Sequence, residues 1–281
     1  MQARLLFRQA LAAIVCATLA GAVLAQPAPA KKEKQEKAFE PTVGQEGKDV
    51  VWVPTPQALV NRMLDMAKLT PNDYLMDLGS GDGRTVITAA KRGARATGVE
   101  YNPNMVELSR NNAKKEGVGE KAQFVHGDIF ETDFSKATVI TLFLLPELNL
   151  KLRPKILDMK PGTRIVSNSF TMGDWQADQT QAATEKDGCT AYCTAYLWIV
   201  PAKVEGKWKL PDGELTLKQT FQNVSGTLGS QAISAGKLRG DQITFTAGGA
   251  QYSGKVNGDT ISGTVKYGSG SKDFTANRAA S

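Results

Sequence analysis

A doubly wound α/β domain with a mostly parallel sheet, followed by a small C-terminal all-β domain, is the architecture that the sequence predicts. Three observations carry it. Tyr74 to Gly83 is an apolar run that ends in an acid and runs into three alternate glycines. Short apolar runs then alternate with helical periods as far as Pro201. Beyond Pro201 helical periods vanish, and Gly, Ser and Thr become frequent between short alternating runs.

The chain has 281 residues, 41% of them hydrophobic, and a formal net charge of +6, which is enough for a substantial core and two domains. Its beginning does not read as core. Arg4 and Arg8 precede an apolar run over residues 11–24, and Val23, Leu24 and Ala25 stand before Gln26. This is the layout of a cleaved secretory signal peptide over residues 1–25, and it implies a periplasmic or secreted protein. The run is short for a membrane span, with an uncleaved anchor as the alternative. Cys16 lacks lipobox neighbours, and the two arginines are not adjacent as a twin-arginine signal requires. Residues 26–48, rich in Ala, Pro, Lys and Glu, read as a flexible linker, and the charge run over 31–37 as a solvated spacer.

The α/β domain is placed over residues 49–202. Thr55 is expected to cap a helix that starts at Pro56, where a missing N–H costs nothing. Leu59, Met63 and Met66 or Ala67 follow at helical spacing, and the loop before them should roof a ligand. Trp52 in that loop either packs or touches cofactor or substrate.

Next comes Asp77-Leu78-Gly79-Ser80-Gly81-Asp82-Gly83. Alternate glycines beside a helix start, here 84–92, expose a floor of backbone N–H groups. A dinucleotide turn would space them G-x-G-x-x-G. This turn is D-x-G-x-G-x-G, and an acid two residues before the first glycine suits a ligand carrying a positive amine. S-adenosylmethionine has an α-ammonium for Asp77, a ribose and no phosphate. The strand Arg95–Glu100 ends in an acid that can accept from both ribose hydroxyls. After a helix over 103–116, the strand at 123–128 ends in Asp128, where an adenine amino group would arrive. A strand over 138–145, a helix over 147–158 and a strand over 163–170 complete the alternation. Such a sheet is covered on both faces and binds ligands at the carboxyl ends of its strands.

Asp77, Glu100 and Asp128 at three successive strand ends resemble the class I, Rossmann-like, S-adenosylmethionine-dependent methyltransferases. Val53-Pro54-Thr55-Pro56, the glycine turn through Arg84, Leu144-Leu145-Pro146, Met172-Gly173-Asp174-Trp175 and Tyr196 to Pro201 narrow the resemblance. Together they resemble a bacterial group similar to the FAM173-type protein-lysine methyltransferases of mitochondria, over residues 50–202. The resemblance implies a seven-stranded sheet closed by an antiparallel pair, placed at 179–185 and 194–200 with Asp187-Gly188 as the turn. It implies S-adenosylmethionine held by Asp77, Gly79, Ser80, Gly81, Gly83, Glu100, Asp128 and Ile129. It also puts Trp52, Phe143, Pro146 and Trp175 on the substrate side. Phe143 and Asn168 stand where that group often has tyrosine and histidine, so no phenol or imidazole role transfers to them.

The fourth strand end faces the methyl group in this fold. Enzymes acting on bases or amides carry Asn/Asp-Pro-Pro-Tyr there, whereas this chain has Phe143-Leu144-Leu145-Pro146-Glu147. An amine, such as a protein lysine, is the acceptor this leaves. A lysine must lose its proton before it attacks, and Glu147 and Asp174 are the carboxylates placed to orient the amine or take the proton through water. Their plainer reading is as surface acids.

Cys189 and Cys193 read either as a disulfide brought into range by a tight turn or as two buried thiols. His126, the single histidine, reads as structural, and with two remaining cysteines it cannot furnish an ordinary closed zinc site. No basic stretch with interleaved aromatics points to nucleic acid. In residues 203–281, Gly236 to Ile243 repeats as Gly254 to Ile261, and each Gly-Asp pair should turn a hairpin of a sandwich or partial barrel. Two rivals to the lysine enzyme stay open: an exported binding protein with a non-catalytic methyltransferase-like part, and a small-molecule methyltransferase.

Overall fold

The computed structural model describes residues 39–211 and 213–279; the expected signal peptide and the first half of the linker lie outside the described residues. Eleven elements build the first sheet and its cover. In chain order they are α1 (Gln57–Met66), β1 (Tyr74–Leu78), α2 (Arg84–Lys91), β2 (Arg95–Glu100), α3 (Pro103–Lys115) and β3 (Ala122–His126), then β4 (Val139–Leu142), α4 (Pro146–Leu157), β5 (Arg164–Asn168), β6 (Gln179–Ala182) and β7 (Thr194–Ile199). The seven strands run β3-β2-β1-β4-β5-β7-β6. The first five are parallel, and β7 is antiparallel to both β5 and β6. Strand order reverses between β1 and β4, which opens a crevice at their carboxyl ends.

Neighbouring residues of one strand enter opposite cores. Leu75, Val139 and Val166 join the apolar faces of α1, α2 and α3, while Met76, Ile140 and Ile165 join Leu152 and Ile156 of α4. Both faces are therefore dry, as the unbroken apolar runs imply. No helix links β3 to β4; Phe134 and Ala137 of that connection fill the second core instead.

Three local expectations are corrected. Thr55 does not cap α1: Pro56 holds the cap position without a side-chain bond, and Thr55 Oγ1 accepts from Asn168 Nδ2 at 3.2 Å. Asp187-Gly188 is not a two-residue hairpin. Thr184 and Asp187 form a capping box around a 3-10 turn at Glu185–Asp187, and a loop closed by a Cys189–Cys193 disulfide follows. The linker also ends earlier than residue 48, because Gly44 and Trp52 exchange backbone bonds across a doubled-back loop (Gly44 N–H to Trp52 O 2.8 Å, Trp52 N–H to Gln45 O 2.9 Å).

The C-terminal part is a closed barrel rather than a sandwich or an open sheet. Its strands are β8 (Gly206–Leu210), β9 (Gly213–Thr220), β10 (Asn223–Leu228), the two-residue β11 (Gln231–Ala232), β12 (Ser234–Arg239), β13 (Gln242–Ala247), β14 (Ala250–Asn257), β15 (Thr260–Tyr267) and β16 (Gly270–Arg278). Each long strand pairs with its sequence neighbour, β16 pairs with β8, and β9 with β10, so eight antiparallel strands close on themselves. Closure leaves no free edge. Trp208, Leu217, Ile243, Phe245, Ile261 and Phe274 fill the interior. Both Gly-Asp pairs form the expected two-residue turns, Gly240-Asp241 between β12 and β13 and Gly258-Asp259 between β14 and β15.

The barrel joins the α/β domain through the β9–β10 turn. The Phe221 ring stacks on Trp175 with centroids 5.9 Å apart, and Gln222 Nε2 donates to the Gln176 carbonyl at 2.7 Å.

At the amino-terminal end of the sheet, Asp73 is buried and ion-paired with Arg164. It also accepts from Thr138 Oγ1 at 2.7 Å and the Thr70 amide at 2.8 Å, while Arg164 Nη1 donates to the Ala67 carbonyl at 2.8 Å. One ion pair thus ties the end of α1 to β1, β4 and β5. Burial pushes the Asp73 carboxyl upward, but the bonds from Arg164, Thr138 and Thr70 outweigh it and hold the group below the ordinary range. A depressed folded-state pKa contributes stability above the unfolded value and loses it as pH falls. Asp73→Ala is expected to lower the unfolding free energy at pH 7 by about 3 kcal/mol in urea denaturation. The gap to wild type should narrow in acid, and equal midpoints at pH 7 would refute the assignment.

Candidate active site

The crevice between β1 and β4 opens into a cavity of about 400 Å³ above the carboxyl ends of β1 to β4. Its floor is the glycine turn. Glu100, ending β2, accepts from the Gly81 amide through Oε2 and from the Asn102 amide through Oε1, both at 2.9 Å. The carboxylate thereby fixes the turn, and each oxygen keeps a lone pair for a further donor. Gly81 lies under the Trp52 indole: a Cβ there would come 2.6 Å from Nε1. Only glycine lets the roof come this close. The roof itself, residues 45–55, lines the cavity. It is held by Arg84 at the start of α2, whose Nη1 donates to the Thr55 carbonyl at 2.9 Å while Nε and Nη2 grip Asp82.

Asp77 lines the cavity and is buried beneath the turn. Thr141 Oγ1 on neighbouring β4 donates to its Oδ1 at 2.6 Å. Burial, reinforced by the nearby Glu100 and Asp82 charges, pushes the carboxyl up to about 7 against the opposing bonds from Thr141 and Thr85. At the far end Asp128 accepts from the Phe130 amide at 2.8 Å and pairs with Lys48, which descends from the roof with its ammonium 4.8 Å from the Tyr101 ring centroid. Lys48 and the Phe130 amide draw Asp128 below the usual carboxylate range. The end of β4 has another chemistry. Leu142, Phe143, Leu144, Leu145, Phe170 and Tyr192 line it, and three of their rings touch: Phe143 is 6.2 Å from Phe170 and 5.2 Å from Tyr192.

Seven of the eight cofactor positions read from the sequence, Asp77, Gly79, Ser80, Gly81, Glu100, Asp128 and Ile129, line the cavity. Gly83 does not. A Cβ there would strike Phe124 and Ser109, so its glycine serves the packing of α2 on β3 and α3. Of the substrate positions, Trp52 and Phe143 line the cavity and Pro146 does not; it is the exposed first residue of α4. Trp175 is corrected outright. It is fully buried between Trp198 and Phe221, where it anchors the barrel. Asp174 is exposed beside it and ion-paired with Arg153, and Glu147 is exposed in the first turn of α4; neither lines the cavity. Asn168 fastens the roof through Thr55, and His126 is exposed, 5.9 Å from the Tyr101 ring.

Lys48, Tyr101, Thr141, Phe170 and Tyr192 were not read from the sequence. Thr141 alone left a signal: a polar residue inside the apolar run Val139-Ile140-Thr141-Leu142 needs a buried partner. The donor set fits S-adenosylmethionine. Glu100 offers two acceptors to a ribose, apolar Ile129 lines the cavity beside Asp128, Asp77 is a buried carboxyl at the glycine turn, and Ser80 Oγ is buried with no partner.

The raised Asp77 pKa has a consequence in the ligand-free protein. Its folded state holds the proton more tightly than the unfolded chain, so stability falls as pH rises from the ordinary carboxylate range and levels off above about 7. Asp77→Asn is expected to flatten that slope in thermal denaturation between about pH 5 and 9. A variant that keeps the wild-type slope would count against a neutral buried carboxyl.

The family model described as the ANTKMT methyltransferase domain matches residues 77–179. The chain is 42% identical over 154 residues to a protein-lysine N-methyltransferase of Saccharolobus islandicus, covering 54% of this chain and 94% of that protein. It is 32% identical over 119 residues to the adenine nucleotide translocase lysine N-methyltransferase of Mus musculus, covering 42% of this chain and 52% of the relative. Among solved structures it resembles an RNA methyltransferase of Salinibacter ruber crystallised with S-adenosyl-L-homocysteine, at 46% identity and a TM-score of 0.50, over 54% of this chain and 96% of that one. Matched over nearly the whole length of the archaeal relative, on a fold and cavity shaped for S-adenosylmethionine, this chain belongs to the protein-lysine N-methyltransferase family of S-adenosylmethionine-dependent enzymes.

Proposed function

We propose that the protein methylates the side-chain amine of a lysine in a protein exported to the same compartment. One observation carries the choice of acceptor: the segments that follow β4 and β5 and the loop before β7 bring Phe143, Leu144, Leu145, Phe170 and Tyr192, all apolar or aromatic, to the cavity at the end of β4, where the methyl group is delivered. Enzymes acting on bases and amides carry Asn/Asp-Pro-Pro-Tyr at this position, and this chain has Phe143-Leu144-Leu145-Pro146-Glu147. A lysine needs an environment that favours its neutral form, because an ammonium has no lone pair with which to attack.

When bound, S-adenosylmethionine supplies a methyl group on a sulfonium, open to in-line displacement. The chain's own residues bind, align and dehydrate. Glu100 takes the ribose hydroxyls, Asp77 balances the cofactor's positive charge from beneath the turn, and the roof over residues 45–55 excludes water from the donor side. Leu144, Leu145 and the three rings desolvate the amine, which gives its proton to water at the rim, where exposed Glu147 can draw in a cationic side chain. Asp174, committed to Arg153, takes no part.

Export rests on the N-terminal layout of Arg4, Arg8 and the run over 11–24, and is supported by the Cys189–Cys193 bond, of a kind that persists in oxidising compartments. The Salinibacter ruber relative is named for RNA, so RNA enters the test as a competing acceptor.

Calorimetric titration of the full chain with S-adenosylmethionine should give a binding heat that Glu100→Ala weakens about a hundredfold, as expected for two lost charge-assisted hydrogen bonds. Affinity should rise with pH through about 7 as Asp77 ionises. Methyl-labelled cofactor incubated with envelope extract and with total RNA should leave its label on lysine after acid hydrolysis of the protein fraction. Label confined to RNA or to small molecules would refute the acceptor.

A further inference from the structure

The loop between β6 and β7 connects two strands and also delivers a ring to the active site. Tyr192 lines the cavity although it belongs to none of the motifs in the sequence. It sits inside the Cys189–Cys193 disulfide, in the left-handed region at φ 55. Such a backbone is uncommon outside glycine, asparagine and aspartate, and is held only where its surroundings over-determine it. Here they do. Cys189 is buried against the first core, its amide donates to the Thr184 carbonyl at 3.1 Å, and the Ala183 amide donates to the Cys193 carbonyl at 2.8 Å. The loop is therefore fixed to the sheet at both cysteines while Tyr192 between them is 46% exposed. A large aromatic ring left half in water on a fixed loop is not serving the core.

The ring instead meets Phe143 edge-on at 5.2 Å and lies 6.4 Å from Phe170. Phe143 directly follows β4, and Phe170 stands two residues past β5. Asn149, buried in α4, holds the latter segment by donating to the Thr171 carbonyl at 3.2 Å. Three segments thus converge to present one aromatic wall at the end of the cavity beyond β4. Aromatic faces attract alkylammonium groups, and the attraction is strongest for desolvated ones. Each added methyl group strips hydration from a lysine ammonium, so a wall of this kind holds methylated lysine better than free lysine.

Resting on the reading of the site as a lysine methyltransferase, we propose that Tyr192 is an acceptor-positioning residue. Held by the Cys189–Cys193 loop, it completes with Phe143 and Phe170 the wall against which the target amine and its methylated forms lie.

The test uses the full oxidised chain saturated with S-adenosylhomocysteine and titrated with Nε-trimethyl-lysine amide and lysine amide in parallel. Wild type should bind the trimethylated probe more tightly. Tyr192→Phe, which keeps the ring, should match it within about twofold, whereas Tyr192→Ala should lose about tenfold. The Cys189→Ser/Cys193→Ser double variant should lose affinity similarly, and S-adenosylhomocysteine should bind all of them equally. With lysine peptide as acceptor, Tyr192→Ala should raise KM more than it lowers kcat. Absence of probe binding to wild type, or equal binding by Tyr192→Ala, would overturn the proposal. Misfolding of the cysteine variant, visible in circular dichroism, leaves Tyr192→Ala to decide. A wild type that binds the probe yet labels no lysine would sink the functional reading alone; one that labels lysine with an unchanged KM in Tyr192→Ala would sink this proposal alone.

Discussion

The hydrogen bond from Thr141 to Asp77 lies at the point on which the rest of the site turns. It spans β1 and β4, the two strands between which the order of the sheet reverses. Reversal sends one crossover to each face and leaves the carboxyl ends of those strands uncovered, so a carboxylate placed there is screened from bulk water by the glycine turn and still borders a cavity. A charge in such a place is costly unless something positive joins it. Thr141 and Thr85 supply hydrogen bonds but no charge, and Glu100 and Asp82 add repulsion, which is why Asp77 stays protonated to about pH 7. The fold therefore carries an electrostatic deficit that a cationic ligand relieves, and the roof and the Glu100 clamp enclose the same volume.

How much of this could be read from residues alone follows from where each signal comes from. Asp77 and Glu100 were legible because each stands at an abrupt end of an apolar run, and a strand's end is a local property. The alternation of strand and helix was legible for the same reason. What escaped depends on contacts between distant segments. Lys48 belongs by composition to a solvated linker, and only a doubled-back loop brings it to Asp128 across 80 positions. Tyr192 follows no period. Barrel closure requires β16 to reach β8, a pairing no neighbouring residues announce, and the close approach that needs Gly236, where a Cβ would come 2.1 Å from the Val224 carbonyl oxygen beside a register irregularity in β12, is equally invisible without the fold.

Trp175 departs from expectation for a different physical reason. Met172 to Trp175 forms a small bridge beyond β5, in the neighbourhood where an acceptor channel is expected, and an aromatic there suits a substrate as well as it suits a core. What decided between them was the barrel. Phe221 needs a flat apolar partner to leave water; Trp175 offers one, and the Arg153 guanidinium lies 5.3 Å from the Phe221 ring while holding Asp174. The acid and the indole that look catalytic in isolation are parts of a joint between domains. Gln222 seals it, donating to Gln176 and accepting from the Leu238 amide through its backbone.

The two ends of the cavity then divide the chemistry by charge. At the donor end Asp77, Asp82, Glu100 and Asp128 line the cavity, and Asp77, neutral until a cation arrives, makes the turn selective for a positively charged cofactor. At the acceptor end rings and leucines exclude both water and fixed charge. An amine entering there is desolvated, which favours its neutral form, and a bound sulfonium would add repulsion in the same direction. A neutral amine that takes up a methyl group becomes a cation, and this end of the cavity offers that cation aromatic faces. Desolvation beside Leu144 and Leu145 lowers the pKa of the incoming amine, whereas the faces of Phe143, Phe170 and Tyr192 favour the cation, so the leucines act before transfer and the rings on the methylated product.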